Sequence, residues 1–249
     1  METLPELLPS LIGILVLTVI ATATLVAFRV PGSASPALAI ARGAVQLAVI
    51  SVILTGVISS PVWIVVVLIV MFTVAFCVAA GRIGWSWRAV ATMSSSIAAG
   101  VVVTATVVFA TGALQLTPRY ALAIGAIIIG NAMSIATLTG RMFTTSVLDH
   151  WDEVEGWLAL GATPRASTVH LARRAIRNAL IPSIDQTKTT GLVVLPGAFV
   201  GAIFGGISPL EAGRFQIIVL AGIMACGAIT ASLVATWLGP VRTKPAALR

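Results

Sequence analysis

Residues 43–81 read GAVQLAVISVILTGVISSPVWIVVVLIVMFTVAFCVAAG, a run of 39 positions with no Asp, Glu, Lys or Arg. An α-helix rises about 1.5 Å per residue and needs about 20 apolar residues to cross the hydrocarbon core of a bilayer. The run is long enough for two crossings. Ser59-Ser60-Pro61 divides it, because proline opens a helix readily but does not continue one. Outward from it stand five more stretches without such charges: 7–28, 89–118, 120–140, 189–210 and 215–241. The expected helices are 7–28, 37–58, 62–80, 89–112, 120–140, 187–207 and 215–238. These segments are continuously apolar rather than alternating, which excludes a transmembrane β-barrel. The fold expected is all-α: a polytopic membrane protein with about seven transmembrane helices and a cytoplasmic helical hairpin. Residues 1–249 form one transmembrane domain, with a cytoplasmic excursion over 141–186.

Composition agrees. Of 249 residues, 58% are hydrophobic and 9% charged, against about 25% charged in a soluble domain. Too few charges remain to build a water-facing surface. The net charge of +7 fits the surplus of Lys and Arg in cytoplasmic loops better than it fits a nucleic-acid partner, and none is expected. Twelve basic residues fall on one side of the seven-helix scheme: Arg29, Arg82, Arg88, Arg141, Arg165, Arg173, Arg174, Arg177, Lys188, Arg242, Lys244 and Arg249. Only Arg119 and Arg214 fall on the other, and Arg42 lies inside the second helix. The split puts the N-terminus outside and the C-terminus in the cytoplasm of a plasma (inner) membrane. The opening METLPELLPS is acidic where a secretory signal is basic, so the first span is expected to be retained. Cys77 and Cys226 lie in apolar spans without paired spacing, which argues against a disulfide or zinc framework.

The excursion is the most informative segment. Gly161 suits the left-handed residue that ends a helix. Thr163 suits an N-cap and Pro164 the first helical position after it. A tight bend is therefore expected, carrying Trp157, Leu158 and Leu160 beside Asp152, Glu153 and Glu155. Apolar residues beside a charged rim fit either a protein docking surface or packing under the membrane domain. The following helix gathers His170, Arg173, Arg174 and Arg177 on one face, as an interfacial helix on anionic lipid also does.

Catalytic chemistry is not legible. The sequence has no G-x-x-x-x-G-K-[ST], HExxH or G-x-S-x-G, so no catalytic residue is named and no cofactor is expected on this chain. Polar groups within spans are costly and become the functional candidates. Arg42 and Gln46 share a helix face, although Arg42 also has the reach to snorkel to the interface. Asn131 lies mid-span, as interhelical glue or as pathway lining. Asp185 and Lys188 stand three residues apart where the excursion re-enters the bilayer, at interface level, as a gate or coupling point. Gly197, Gly201 and Gly205 form a small-residue stripe. Met71, Met93, Met133, Met224 and Cys77 are soft ligands scattered over several helices, and methionine is equally ordinary core filler. The metal ligands, if any, stay unknown.

Four motifs occur in order: Gly130-Asn131-Ala132-Met133, Leu160-Gly161-Ala162-Thr163-Pro164, Arg177-Asn-Ala-Leu-Ile-Pro182-Ser-Ile-Asp185, and Lys188-Thr-Thr-Gly191-Leu-Val-Val-Leu-Pro196-Gly197. Over about residues 37–235 the chain resembles the FetB-like family of bacterial ABC transporter permeases, associated with iron export, with a plant branch linked to aluminium tolerance. The resemblance implies a membrane subunit, working as a homodimer, whose ATP and Mg are bound by a separate ABC ATPase. The bend also resembles the EAA loop that importer permeases press into their ATPase, with Glu155 and Gly161 at its Glu-to-Gly spacing. It departs at Gly156 and Trp157, where two alanines are expected, and again at Leu180-Ile181-Pro182. ATPase docking is thus expected at Glu155, Trp157, Leu158, Gly161, Thr163 and Pro164. The pathway or gate is expected at Arg42, Gln46, Asn131, Met133, Asp185, Lys188, Gly197, Gly201 and Gly205. Two other readings compete: a stand-alone secondary transporter, which requires an intramembrane carboxylate, and a non-transporting membrane scaffold.

Overall fold

The computed structural model describes residues 4–57 and 61–246, in two compact units, 1–59 and 60–249. The expected break at Ser59-Ser60, and Arg249, lie outside the described residues. The first unit is a pair of long helices, α1 (Leu4–Ala27) and α2 (Ser35–Val57), packed on each other. Arg29 turns the chain with φ 52°; its N–H donates to Val26 O and that of Val30 to Leu25 O. This pair of bonds satisfies carbonyls that the helix end leaves open.

The second unit holds α3 (Pro61–Ile83), α4 (Trp87–Ala110), α5 (Pro118–Asp149), α6 (Trp151–Ala159), α7 (Val169–Thr189), α8 (Gly197–Phe204) and α9 (Pro209–Leu238). Long apolar runs set these helices, and their starts are written in capping residues. Ser86 Oγ accepts from Ala89 N–H at 3.1 Å, Thr117 Oγ1 from Tyr120 N–H at 3.4 Å and Ser208 Oγ from Glu211 N–H at 3.3 Å. Pro118 and Pro209 follow the last two caps, where a missing N–H costs no bond. Helices α5 and α9 pack on each other at the centre, with α3, α4 and α7 around them. The core is built of Met93, Ile97, Ile124, Ile128, Ala132, Ala136, Val219 and Val234, among others. Small residues let helices touch: a Cβ at Gly100 would stand 2.5 Å from Thr230 Oγ1 and 2.8 Å from the Cys226 carbonyl. Such close approach is how helices associate where water gives no hydrophobic drive between them.

The chain is an all-α polytopic membrane protein. Among the described residues six helices are long and apolar enough to cross a membrane: α1, α2, α3, α4, α5 and α9. All six fall within a few residues of the expected spans except that α5 runs nine residues past 140 and α9 starts six before 215. Trp63 at the start of α3 and Trp85 and Trp87 beyond its end are 56%, 68% and 83% exposed. About 20 residues of α3, roughly 30 Å, separate the two levels. That spacing matches the aromatic belts at the two faces of a hydrocarbon core of about 30 Å.

The expected continuous helix 187–207 is not formed. Helix α7 ends at Thr189, a non-helical segment follows over 190–196, and α8 has only eight residues. Pro196 and the turn at Gly191, φ +85°, separate the two helices. The helix expected from Pro164 begins at Val169 instead. One capped turn precedes it, in which Thr163 Oγ1 accepts from Ala166 N–H at 3.2 Å.

Candidate functional site

At one end of the second unit, here the lower end, α5 continues to Asp149 and turns through α6 to the start of α7. A small core holds this hairpin: Phe143, Val147, Val154, Leu171 and Ala175 are all buried, with Leu158 and Leu238 packed against them. Helix α6 ends as the sequence suggests. Gly161 has φ +88°, its N–H donates to Leu158 O, and Ala162 N–H donates to Trp157 O. The bend sorts its apolar residues. Leu158 turns inward, whereas Trp157 is 50% and Leu160 82% exposed. Glu155, Gly161 and Thr163 are exposed as well, and Pro164 is half-buried. Glu153 reaches back to His170 on α7 at 3.4 Å, tying the bend to the next helix. The result is an apolar tip on a rigid base with an acidic flank.

The second feature is α7 itself. Three fixed points give its register on α9. Thr168 Oγ1 donates to Gly239 O at 2.6 Å. A Cβ at Gly227 would stand 3.3 Å from Leu180 Cδ2, and one at Gly213 3.9 Å from Phe199 Cε2. The segment α7–(190–196)–α8 therefore runs antiparallel to α9 along the length of that helix, as one broken traverse. Asp185 and Lys188 stand between the levels of Gly227 and Gly213, beside the uncharged run 215–241 of α9. Along that traverse they fall at the level of the middle of α9. Leu171, Ala175, Ala179 and Ser183 form the buried stripe of α7. Arg173, Arg174, Arg177, Ile181, Asp185 and Lys188 form the exposed one. Lys188 Nζ lies 3.4 Å from Asp185 Oδ1 in an open pair. Pro182 removes one helix N–H. Near the end of the helix Thr187, Thr189 and Thr190 hydroxyls donate to the Ser183, Asp185 and Gln186 carbonyls.

The other sequence candidates are dispersed. Arg42 and Gln46 are exposed on α2. Asn131 is partly buried and its Nδ2 donates to Ile127 O at 2.9 Å, a bond within its own helix rather than to a neighbour. Met133 packs against the main core. Around Gly197 and Gly201 nothing comes within 4 Å of an added Cβ, and Gly205 meets only carbonyls of its own helix. The stripe thus brings no other helix close within the described residues. Met93 and Cys226 are buried in the core. Among the described residues no three His, Cys, Asp or Glu side chains cluster so as to hold a metal ion.

Sequence reasoning missed a cavity of about 670 Å³ at the upper end, between the α4–α5 connection, α8 and the start of α9. Arg119, Tyr120, Glu211, Arg214 and Phe215 line it. Its signal in the sequence was the isolation of Arg119 and Arg214 from every other basic residue. Both follow a Ser/Thr-Pro helix start, and the two starts meet there.

Residues 8–241 match the profile of the Uncharacterised protein family (UPF0014). UPF0014 membrane protein STAR2 of Oryza sativa subsp. japonica is 38% identical over 202 residues, 80% of this chain and 70% of its own. Protein ALUMINUM SENSITIVE 3 of Arabidopsis thaliana is 35% identical over 201 residues, 80% and 73%. A protein of Escherichia coli (strain K12) named "Probable iron export permease protein FetB" is 34% identical over 143 residues, 57% of this chain and 55% of its own. No solved structure matches the chain.

Proposed function

The chain belongs to the UPF0014 family, and from that premise we propose that it is the membrane permease subunit of an ABC transporter, driven by a separate ATPase subunit. The observation that carries this reading is the lower-end hairpin, where a cored base presents Trp157 and Leu160 next to Glu155. A half-exposed tryptophan on a rigid support is the kind of group that anchors a protein interface. ATP and Mg belong to the partner. Two ATPase chains act together in such machines and this chain has one hairpin, so the permease is a homodimer. The name of the Escherichia coli relative supports a metal ion such as iron as cargo, exported from the cell.

The proposed setting is the plasma (inner) membrane, with the N-terminus outside and the hairpin and C-terminus in the cytoplasm. Arg173, Arg174, Arg177 and Lys188 lie on α7 rather than in a loop, so four of the twelve basic residues leave the loop count. Arg82, Arg88 and Arg141 lie on helices too, as do Arg119 and Arg214 opposite; Arg29, Arg165, Arg242 and Lys244, in the connections and the tail, all fall on the hairpin side of the proposed scheme, and short loops of this bias face the cytoplasm. The broken traverse α7–α8 supports transport, because non-helical backbone at membrane depth is tolerated where it lines protein or water.

One observation favours a second reading. Asp185 at membrane depth supplies the carboxylate that a stand-alone, ion-driven transporter requires. Reconstitution separates the two. Vesicles holding the permease alone and vesicles holding permease with a candidate ABC ATPase from the same organism are loaded with labelled ferrous or ferric iron. The ABC reading expects ATP-dependent flux only with both subunits, lost in Gly161→Pro, which breaks the bend. Full flux from the permease alone under an ion gradient overturns it.

A further inference from the structure

The exposed face of α7 carries Arg173, Arg174, Arg177, Asp185 and Lys188 beside an α9 that has no charged residue from 215 to 241. Lipid tails cannot take these groups, so protein or water covers them. The first two helices offer Arg42 and Gln46, and between residues 7 and 59 no acid to meet Lys188. A second copy of this chain offers both signs of charge. Two copies in one membrane share their orientation, so the two-fold axis relating them runs along the membrane normal. Such an axis brings each level of α7 against the same level of its copy.

We infer that α7 is the contact between two copies, closed in its upper half and open in its lower half. This rests on the homodimeric permease reading and names the surface it uses. Asp185 and Lys188 differ in height by three residues, about 4.5 Å, so at the closed level each Asp185 carboxylate reaches up to Lys188 of the second copy, and Ile181 faces its own equivalent across the axis. One acid and one base per copy make that level self-complementary. Below it, Arg173, Arg174 and Arg177 meet only like charge. Those levels repel and fill with water, forming a vestibule that opens toward the hairpin. Lys188 and Asp185 bond each other only loosely within one chain, at 3.4 Å and more than half exposed, so both remain free to pair across the axis. The buried stripe of α7 is Leu171, Ala175, Ala179 and Ser183, which leaves the charged stripe outside the packing of the second unit.

The test uses the full chain in membranes without the ATPase, so its outcome is independent of hairpin docking and of transport. In a Cys77→Ala, Cys226→Ala background, Ile181→Cys is oxidised with copper phenanthroline. The expected result is a disulfide-linked dimer at least tenfold more abundant than for Val70→Cys, an exposed position midway along α3. Equal yield and equal melting temperature of the two variants establish that both fold. A monomeric Ile181→Cys under those conditions overturns the inference. In a second arm, an Asp185→Lys chain and a Lys188→Asp chain with different tags are co-expressed. Mixed dimers are expected to exceed the one-half share of random pairing, because each like pair repels. Random proportions overturn the charge pairing. For the vestibule, Arg174→Cys is expected to react with a charged, water-soluble thiol reagent in inside-out vesicles at least tenfold faster than Val70→Cys. Equal rates overturn the open lower half.

Discussion

Replacing Trp157 with alanine separates the stability of the hairpin from what its tip binds. Trp157 is 50% exposed. A tryptophan side chain buries up to about 250 Å² at a well-packed interface, so about 100 Å² is still available to a partner. At about 25 cal/mol per Å² that area contributes about 2.5 kcal/mol, or roughly a seventyfold loss of affinity in Trp157→Ala. The permease itself loses a comparable buried half-surface from its own fold. A hairpin held by Phe143, Val147, Val154, Leu171 and Ala175 retains its shape after that loss. Val154→Ala is the contrast. Val154 is fully buried, touches no partner, and its truncation costs about 2 kcal/mol of stability through lost methyls and a cavity. The assay is titration of purified ATPase onto the detergent-solubilised permease, paired with a thermal melt of each variant. Trp157→Ala is expected to raise Kd about seventyfold. Val154→Ala is expected to lower Tm while leaving Kd, measured well below Tm, within a few-fold. An unchanged Kd in Trp157→Ala would refute the reasoning, since a supported half-exposed indole at the docking tip would then contribute nothing to docking.

Two further outcomes follow. Gly100→Ala is expected to cost about 1–3 kcal/mol by forcing α4 off Thr230 and the Cys226 carbonyl, whereas Gly130→Ala, with open space around it, gains about 0.5–1 kcal/mol from helix propensity. Opposite shifts in Tm confirm the α4–α9 approach, and equal shifts contradict it. A cysteine at position 3 in a Cys77→Ala, Cys226→Ala background is expected to react with a membrane-impermeant thiol reagent in intact cells and one at position 247 is not; the reverse pattern refutes the orientation.

The long spans were legible because the signal is crude: runs such as 43–81 and 215–241 contain no charge, and length alone turns them into helices. The bend at Gly161 was legible because a left-handed residue followed by Thr-Pro is a local instruction. Helix α7 was not. Its arginines and Asp185-Lys188 pair put it below any hydropathy threshold, so it read as a surface helix, and the apolar run after it read as the crossing. In the structure both pieces, α7 and α8, run along α9. The neglected signal is Leu171, Ala175, Ala179 and Ser183, a strict four-residue repeat of modest side chains that is a packing seam rather than a surface. The extension of α5 was missed for a similar reason: Arg141 looked like an end, but Phe143 and Val147 carry the buried face onward. Asn131 shows the remaining gap, since sequence posed glue against lining and its amide bonds its own helix.

Helix α5 links the apolar layer and the hairpin through 32 residues without an internal break, and its only proline opens it. Sharp bends in helices arise at prolines and at inserted groups, so α5 behaves as a single stiff lever about 48 Å long. Its fulcrum is the zone where α3, α4 and α9 press on Ile124, Ile128, Ala132 and Ala136, and its longer arm carries Phe143 and Val147. A tilt of about 5° at the hairpin moves the opposite tip, about 17 Å from that zone, by about 1.5 Å. Arg119 and Tyr120 sit on that tip, at the lip of the upper cavity. A rigid tilt of α5 at the hairpin end would therefore shift the lip of the cavity at the other end of the unit.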